Sequence, residues 1–184
     1  MNLRIAKFIS NSGHCSRREA EKLIYKHKVF INGKLCTHPS QKVNEEDKVE
    51  INNEVIKKIN KIELWKMYKP IKYICSTNDN FKRKTIFDLL PKKMPKLISI
   101  GRLDYMSEGL ILLTNNGSFA RKLELPSSKY ERIYRVGIRG TIKDADLSLI
   151  NKGITINKIQ YKNIKIKLEK YIKPYSWLII KLKE

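Results

Sequence analysis

The stretch GRLDYMSEGLILLTNNG, residues 101–117, places an aspartate between two apolar runs. Residues 98–100 before it and 109–114 after it are typical of short buried strands. Asp104 should therefore lie in a loop between two strands, where we expect it to be partly desolvated and to pair with Arg102. A structural ion pair and a catalytic carboxylate both fit this pattern.

Strand signals outnumber helix signals around this loop. Alternating or continuous apolar residues predict strands at 64–68, 73–75, 98–100, 109–114, 134–138, 164–168 and 177–182. Residues 73–75 are the expected partner of the strand at 64–68. Capping residues and helix-ending residues predict helices at 85–90, 118–125 and 141–153, the second capped by Ser118. Because turns link most of these strands, we predict an α+β fold with a mostly antiparallel mixed sheet.

The first sixty residues have the pattern of a small separate module. A helix ends at Gly13, and Ser16 with Glu19 forms a capping box for a second helix. The buried stripe of that second helix is predicted to contain Ala20, Leu23, Ile24 and His27. Asn32-Gly33 predicts a β-hairpin, and a further strand is expected at 48–51.

Charge and cysteine content limit the function classes. The formal net charge of +21 favours a polyanionic partner such as nucleic acid, although a high lysine content also produces solvated surfaces. Arg18, Lys22 and Lys26 are spaced by four and should share one exposed helix face. Three cysteines without CxxC spacing favour a reducing, cytoplasmic compartment and argue against disulfides or a metal site. No signal peptide and no membrane span are recognisable.

The segment RIAKFISNSGHCSRREAEKLI, followed by VFINGK, resembles the S4-like RNA-binding module first described in a small-subunit ribosomal protein. The resemblance implies that residues 1–60 form an RNA-binding domain that grips phosphates without reading sequence. The RNA-binding residues expected from it are Arg4, Lys7, Ser16, Arg17, Arg18, Lys22, Lys26 and Lys34.

The GRLDYMSEGLILLTNNG stretch resembles the catalytic signature of RsuA/RluB-type pseudouridine synthases. Lys69-Pro70, FDLLP at 87–91 and YERIYRV at 130–136 follow in the family order. The resemblance implies a pseudouridine synthase domain at 61–184, with Asp104 as the catalytic carboxylate. It also implies that Tyr134 packs on the substrate base and that Arg102 keeps Asp104 ionised and oriented. Because the reaction is an isomerisation, neither cofactor nor metal is expected.

Some positions depart from the family pattern. Ser107 replaces a usual threonine, Asn116 replaces a usual aspartate, and Arg132 replaces a common lysine. The chain also stops where the family continues into a glycine- and arginine-containing segment. We therefore expect a domain truncated at its C-terminus, with the apolar strand at 177–180 left at a sheet edge.

Together these features predict an enzyme that isomerises a uridine of ribosomal RNA, more specifically of the large subunit, to pseudouridine. The expected partner is a pre-ribosomal large-subunit particle, and the protein is expected to be a cytoplasmic monomer without membrane contact. The alternative is a non-catalytic RNA-binding or ribosome-assembly protein that retains the fold.

Overall fold

The computed structural model describes residues 2–56, 61–77 and 79–183. The chain forms two compact units, Met1–Glu124 and Leu125–Glu184. The strand pairings within the described sheets are antiparallel, and an isolated bridge between Ile74 and Thr85 is parallel. The predicted α+β class with mostly antiparallel sheets is confirmed.

In its described residues, the first unit contains two small sheets, a longer three-stranded sheet and three helices. Its elements are β1 (Leu3–Arg4), α1 (Ile5–Asn11), α2 (Arg17–Tyr25), β2 (Val29–Ile31), β3 (Lys34–Leu35), β4 (Lys42–Val43), β5 (Val49–Ile51), β6 (Glu54–Val55), β7 (Leu64–Lys69), a 3₁₀ turn (Ile86–Leu89), β8 (Ile98–Ile100), β9 (Gly109–Thr114) and α3 (Gly117–Glu124).

The capping box and the hairpin turn that were predicted for the N-terminal module are both present. The hydroxyl of Ser16 accepts from the Glu19 amide at 3.2 Å, and the Glu19 carboxylate accepts from the Ser16 amide at 2.7 Å, so the capping box is present. Asn32 and Gly33 adopt positive φ angles of 50° and 77° and join β2 to β3. Helices α1 and α2 and the sheet β3-β2-β5-β6 share one core, with Ile24 fully buried in it.

The sheet β7-β9-β8 positions the loop that contains Asp104. Strand β9 is central and pairs with β7 from Leu64 to Lys69 and with β8 from Ile98 to Ile100. Its inner face packs Ile111 and Leu113 into a second core. The loop between β8 and β9 is therefore anchored at both ends by hydrogen-bonded strands.

Three local predictions were wrong. Residues 73–75 do not pair with β7, which pairs with β9; Ile74 instead forms an isolated parallel bridge with Thr85. Ser118 does not cap α3; the side-chain oxygen of Asn116 accepts from the Phe119 amide at 2.8 Å and caps it instead. His27 is exposed, because α2 ends at Tyr25 and His27 turns into the left-handed region at φ 55°.

The second unit is a three-stranded sheet with one helix and a small hairpin. Its elements are a 3₁₀ turn (Pro126–Ser128), β10 (Glu131–Arg139), α4 (Asp144–Lys152), β11 (Ile154–Ile156), β12 (Ile159–Tyr161), β13 (Lys165–Ile172) and β14 (Tyr175–Lys183). Strand β14 lies between β10 and β13. The expectation of an unpaired edge at 177–180 was wrong, because β10 pairs with β14 along nine residues. Helix α4 starts at Asp144, three residues later than the predicted start at 141.

The predicted domain boundary between residues 60 and 61 borders residues 57–60, which lie outside the described residues. Among the residues that the structure does describe, no helix is long and apolar enough to cross a membrane.

Candidate active site

Asp104 lies in the loop between β8 and β9, residues 101–108, called here the Asp104 loop. The residue is exposed, so the expectation of partial desolvation was wrong. The hydrogen bonds that hold the loop around Asp104 are made by its backbone. A turn closed by the Ser107 amide and the Asp104 carbonyl, 3.0 Å apart, sets the direction of this part of the chain.

A buried lysine holds the backbone of the Asp104 loop. The ammonium group of Lys69, at the end of β7, donates to the carbonyl oxygens of Asp104 at 2.9 Å, Ser107 at 2.6 Å and Pro70 at 3.2 Å. Lys69 is fully buried. An ammonium group has three donors, and here each has a carbonyl acceptor, which offsets the cost of removing the charge from water.

The segment after β7 supplies further anchors to the same loop. The Lys72 amide donates to the Tyr105 carbonyl at 2.7 Å. The thiol sulfur of Cys75 lies 3.4 Å from the Leu103 amide and 3.6 Å from the Leu103 carbonyl. At the start of the loop, the Gly101 amide donates to the Glu124 carboxylate at 2.8 Å. The backbone around Asp104 is thus fixed on several sides before any substrate binds.

Tyr68 ties the far end of the loop to β7. Its hydroxyl donates to the Glu108 carboxylate at 2.6 Å, and this hydrogen bond raises the pKa of Tyr68. Both residues are exposed, so this contact lies on the solvent side of the sheet.

Arg102 lies on the Asp104 loop, as the sequence requires, but the expected ion pair is not formed. In the described residues, Arg102 and Asp104 make no salt bridge, and both are exposed. Two exposed side chains gain little from pairing in water, because solvent screening reduces their attraction. The catalytic role of Arg102 stays a prediction.

Tyr134 belongs to the second unit, on β10 opposite Ile180 of β14. The residue is half-buried. Its ring shares one sheet face with apolar neighbours, which fits a sheet-core aromatic as well as a residue that stacks on a base. Its proposed role also stays a prediction.

The predicted RNA-binding residues lie on α1, α2 and the first strands. Arg18, Lys22 and Lys26 are exposed and form the basic helix face. Arg17 is exposed and pairs with Glu21 at 3.7 Å. The others have mixed exposure: Arg4 and Lys34 are exposed, whereas Lys7 and Ser16 are half-buried.

Sequence reasoning missed the function of Lys69, although a signal was present. Met67 and Lys69 alternate with the exposed Lys66 and Tyr68 on β7, and Met67 packs against the second core. A lysine at the next inward position must find acceptors, and the Asp104 loop supplies them.

Cys15, Cys36 and Cys75 are free thiols, and the described residues contain no group of three or more His, Cys, Asp or Glu that could hold a metal ion.

Two family models match the chain. The RNA pseudouridylate synthase model covers residues 63–182, and the S4 domain model covers residues 3–49.

Relatives and a solved structure agree with these matches. An uncharacterized RNA pseudouridine synthase of Rickettsia conorii is 43% identical over 181 residues, which cover 98% of this chain and 78% of the relative. Ribosomal large subunit pseudouridine synthase B of Bacillus subtilis is 34% identical over 179 residues, covering 97% of this chain and 73% of that protein. A crystal structure of a pseudouridylate synthase matches with a TM-score of 0.61 and 26% identity, over 97% of this chain and 76% of the other.

Proposed function

Because this chain belongs to the RNA pseudouridylate synthase family, we propose that it converts a specific uridine of ribosomal RNA to pseudouridine, with Asp104 as the catalytic carboxylate. The observation that carries this proposal is the Asp104 loop. Its backbone is held by the buried Lys69, while the Asp104 carboxylate remains exposed to an incoming nucleotide. A fixed backbone with an accessible carboxylate is the arrangement that a nucleophile or base requires.

The reaction exchanges one bond to the sugar for another. The uridine first leaves its stack, which costs a few kcal/mol that RNA contacts must supply. The bond from N1 of the base to the anomeric carbon then breaks, and a bond from C5 to that carbon forms. C5 loses a proton and N1 gains one. Asp104 acts at the sugar, either by attacking the anomeric carbon or by removing the proton from the sugar carbon next to it.

We assign supporting roles to Tyr134 and Arg102. The Tyr134 ring packs on the flipped base, and its hydroxyl helps to remove the proton from C5. Arg102 orients the Asp104 carboxylate and keeps it ionised once RNA excludes water from the loop, because a guanidinium attracts a carboxylate more strongly as the local dielectric falls.

The substrate class follows from the module at the N-terminus and from the relatives. We propose that residues 1–60 anchor RNA and residues 61–184 perform the reaction. The name of the Bacillus subtilis relative supports large-subunit ribosomal RNA, and a pre-ribosomal particle would offer that RNA before it is buried. We further propose a monomer that works in the reducing cytoplasm, where free cysteines are stable.

The test is tritium release from ribosomal RNA transcripts labelled at C5 of uridine, because the C5 hydrogen leaves during the exchange. We expect release with the wild type, none with Asp104→Asn, and a normal rate with Asp144→Asn, an exposed aspartate of α4. RNA affinity should change by less than about threefold, because phosphate contacts dominate binding. A wild type that binds RNA without releasing tritium would support the alternative of a non-catalytic assembly protein.

The target uridine is identified by mapping pseudouridines in ribosomal RNA from a strain that lacks this protein. We expect one large-subunit position to lose its modification and to regain it when the wild type, but not Asp104→Asn, is restored. Loss at a small-subunit position instead would correct the proposed substrate.

A further inference from the structure

A short loop near Asp104 is braced by its own ion pair. Residues 79–84 form this loop, called here the Phe81 loop. Arg83 donates to the Asp79 carboxylate from its side chain at 2.7 and 3.1 Å and from its backbone amide at 2.8 Å. The hydrogen bonds from Arg83 hold the pKa of Asp79 at about 2, so the pair is charged at neutral pH. The Asp79 side chain is 7% exposed, which indicates a folded loop and not a solvated tail.

The ion pair with Asp79 holds the Arg83 guanidinium close to two aromatic rings. The Arg83 guanidinium carbon lies 5.2 Å from the centre of the Phe81 ring and 5.8 Å from the centre of the Tyr105 ring. Tyr105 directly follows Asp104 in the chain. The Phe81 loop therefore lies beside the Asp104 loop, and the contact between them is a cation–π interaction.

Phe81 is poorly explained by packing. It is 79% exposed, the largest value among the large hydrophobic residues of the described chain. Single exposed apolar residues are common on protein surfaces. Here, however, the exposed ring is backed by a guanidinium that also contacts Tyr105 of the Asp104 loop, and the nearby Lys82 and Lys84 of the same short loop are exposed. Aromatic rings flanked by cations are the surfaces that bind unpaired nucleotides, by stacking on bases and pairing with phosphates.

We propose that Phe81 stacks on an unpaired base adjacent to the target uridine, with Arg83 held behind the ring by Asp79. This inference rests on the proposed function, since an RNA substrate is what brings an unpaired base to the Asp104 loop. Lys82 and Lys84 contact the phosphates of the same nucleotide. The Phe81 loop thereby helps to keep the strand open after the uridine has left its stack, because the neighbouring base gains a new stacking partner.

The experiment compares wild type, Phe81→Ala, Phe81→Trp and a control, Leu149→Ala, which truncates an exposed apolar side chain of α4. The RNA is a fragment containing the mapped uridine, and a parallel set carries one abasic nucleotide at each flanking position. Kd is measured by fluorescence anisotropy, and KM and kcat by tritium release. Thermal melts check that each variant is folded.

We expect Phe81→Ala to raise Kd and KM by about 5- to 100-fold, the range for removing one stacked base. At saturating RNA, kcat should stay within about twofold, because Phe81 does not touch the reacting atoms. Phe81→Trp and Leu149→Ala should bind like the wild type. At one flanking position the abasic RNA should weaken wild-type binding by a similar factor, and Phe81→Ala should weaken it no further there.

The experiment distinguishes failure of the proposed function from failure of the inference about Phe81. A wild type without turnover overturns the proposed function, while the binding comparison with abasic RNA still tests the stacking role of Phe81. Phe81→Ala that binds intact RNA as tightly as the wild type overturns the inference about Phe81 and leaves Asp104 untouched. Additive decreases in affinity at every abasic position also overturn it, because they mean that no flanking base contacts the ring.

Discussion

The ammonium group of Lys69 donates to the main-chain carbonyl of Asp104 at 2.9 Å. The residue that we propose as catalytic is therefore held through its backbone by a side chain that is fully buried. This arrangement separates two requirements. Lys69 fixes the position of Asp104, and the exposed carboxylate keeps its oxygens available for the substrate.

Replacing Lys69 should damage both stability and turnover. Lys69→Met keeps most of the side-chain volume but leaves three carbonyl oxygens without the donor they have now. We expect the free energy of unfolding to fall by about 2 to 4 kcal/mol, since hydrogen bonds to a buried charge are strong. The rate constant kcat should fall roughly 10- to 100-fold, because the loop loses its preorganised position. Urea denaturation and tritium release measure the two effects.

Lys66→Met on the same strand is the matched control for that prediction. Lys66 is exposed, and the same substitution there should change the unfolding free energy by less than about 0.5 kcal/mol. Equal effects at both positions would mean that the hydrogen bonds of Lys69 do not hold the Asp104 loop.

Short-range patterns predicted the local structure well. The Ser16 and Glu19 pair and the Asn32-Gly33 hairpin formed as expected, because each depends on residues three or fewer positions apart. The cap of α3 was misassigned, since Asn116 and Ser118 are both good capping residues and it is Asn116 that accepts from the Phe119 amide. The helix itself was therefore predicted correctly, with its start displaced.

Long-range pairing was harder to predict. Residues 73–75 looked like a partner for β7, but β7 pairs with β9, whose partner residues lie 40 to 50 positions further along the chain. The loop position of Asp104 followed from its two flanking strands. Its exposure and the role of Lys69 did not, because both depend on contacts between segments that are distant in sequence.

The capping box of α2 should make stability depend on acid pH. Hydrogen bonds from Ser16, followed by the charge of Lys96, lower the pKa of Glu19 from 4.5 to about 2. A depressed folded-state pKa means that the stabilisation is present above about pH 4.5 and disappears as the pH falls toward 2. Glu19→Gln should therefore lose less stability than the wild type across that interval.

Urea midpoints measured through this pH interval check the prediction. Glu46→Gln, a change at an exposed glutamate outside the cap, should leave the wild-type pH profile in place. A Glu19→Gln profile parallel to the wild type would remove Glu19 as the source of the acid sensitivity.

Ser16→Ala should lower the free energy of unfolding by about 1 kcal/mol at neutral pH, because it removes the N-cap acceptor.

The basic helix face should contribute to the salt dependence of RNA binding. Neutralising Arg18, Lys22 and Lys26 to glutamine should weaken binding and reduce the slope of log K against log salt by about 0.7 to 0.9 for each phosphate that the protein no longer neutralises. The matched control changes Lys152, Lys158 and Lys162 of the second unit, three exposed lysines, to glutamine. If the slope is unchanged after Arg18, Lys22 and Lys26 are replaced, this helix face is exposed to solvent and does not contact RNA phosphates.

Tyr134→Phe separates the two roles proposed for Tyr134. The ring lies half-buried opposite Ile180, and phenylalanine fills nearly the same volume, so the fold should be preserved within about 1 kcal/mol. If the hydroxyl helps to remove the C5 proton, kcat should fall by about 100-fold or more, within the range for removal of acid–base catalysis, while Kd for RNA stays close to the wild-type value.

Tyr134→Leu should add a binding defect, because it also removes the ring that stacks on the flipped base. Tyr161→Phe, at an exposed tyrosine of β12, is the control and should behave like the wild type. Deuterium at C5 of the substrate uridine gives an independent readout. Its isotope effect on kcat should be larger in Tyr134→Phe, since proton removal from C5 then limits the rate. A Tyr134→Phe enzyme with normal kcat and an unchanged isotope effect would restrict Tyr134 to packing in the sheet or against the base.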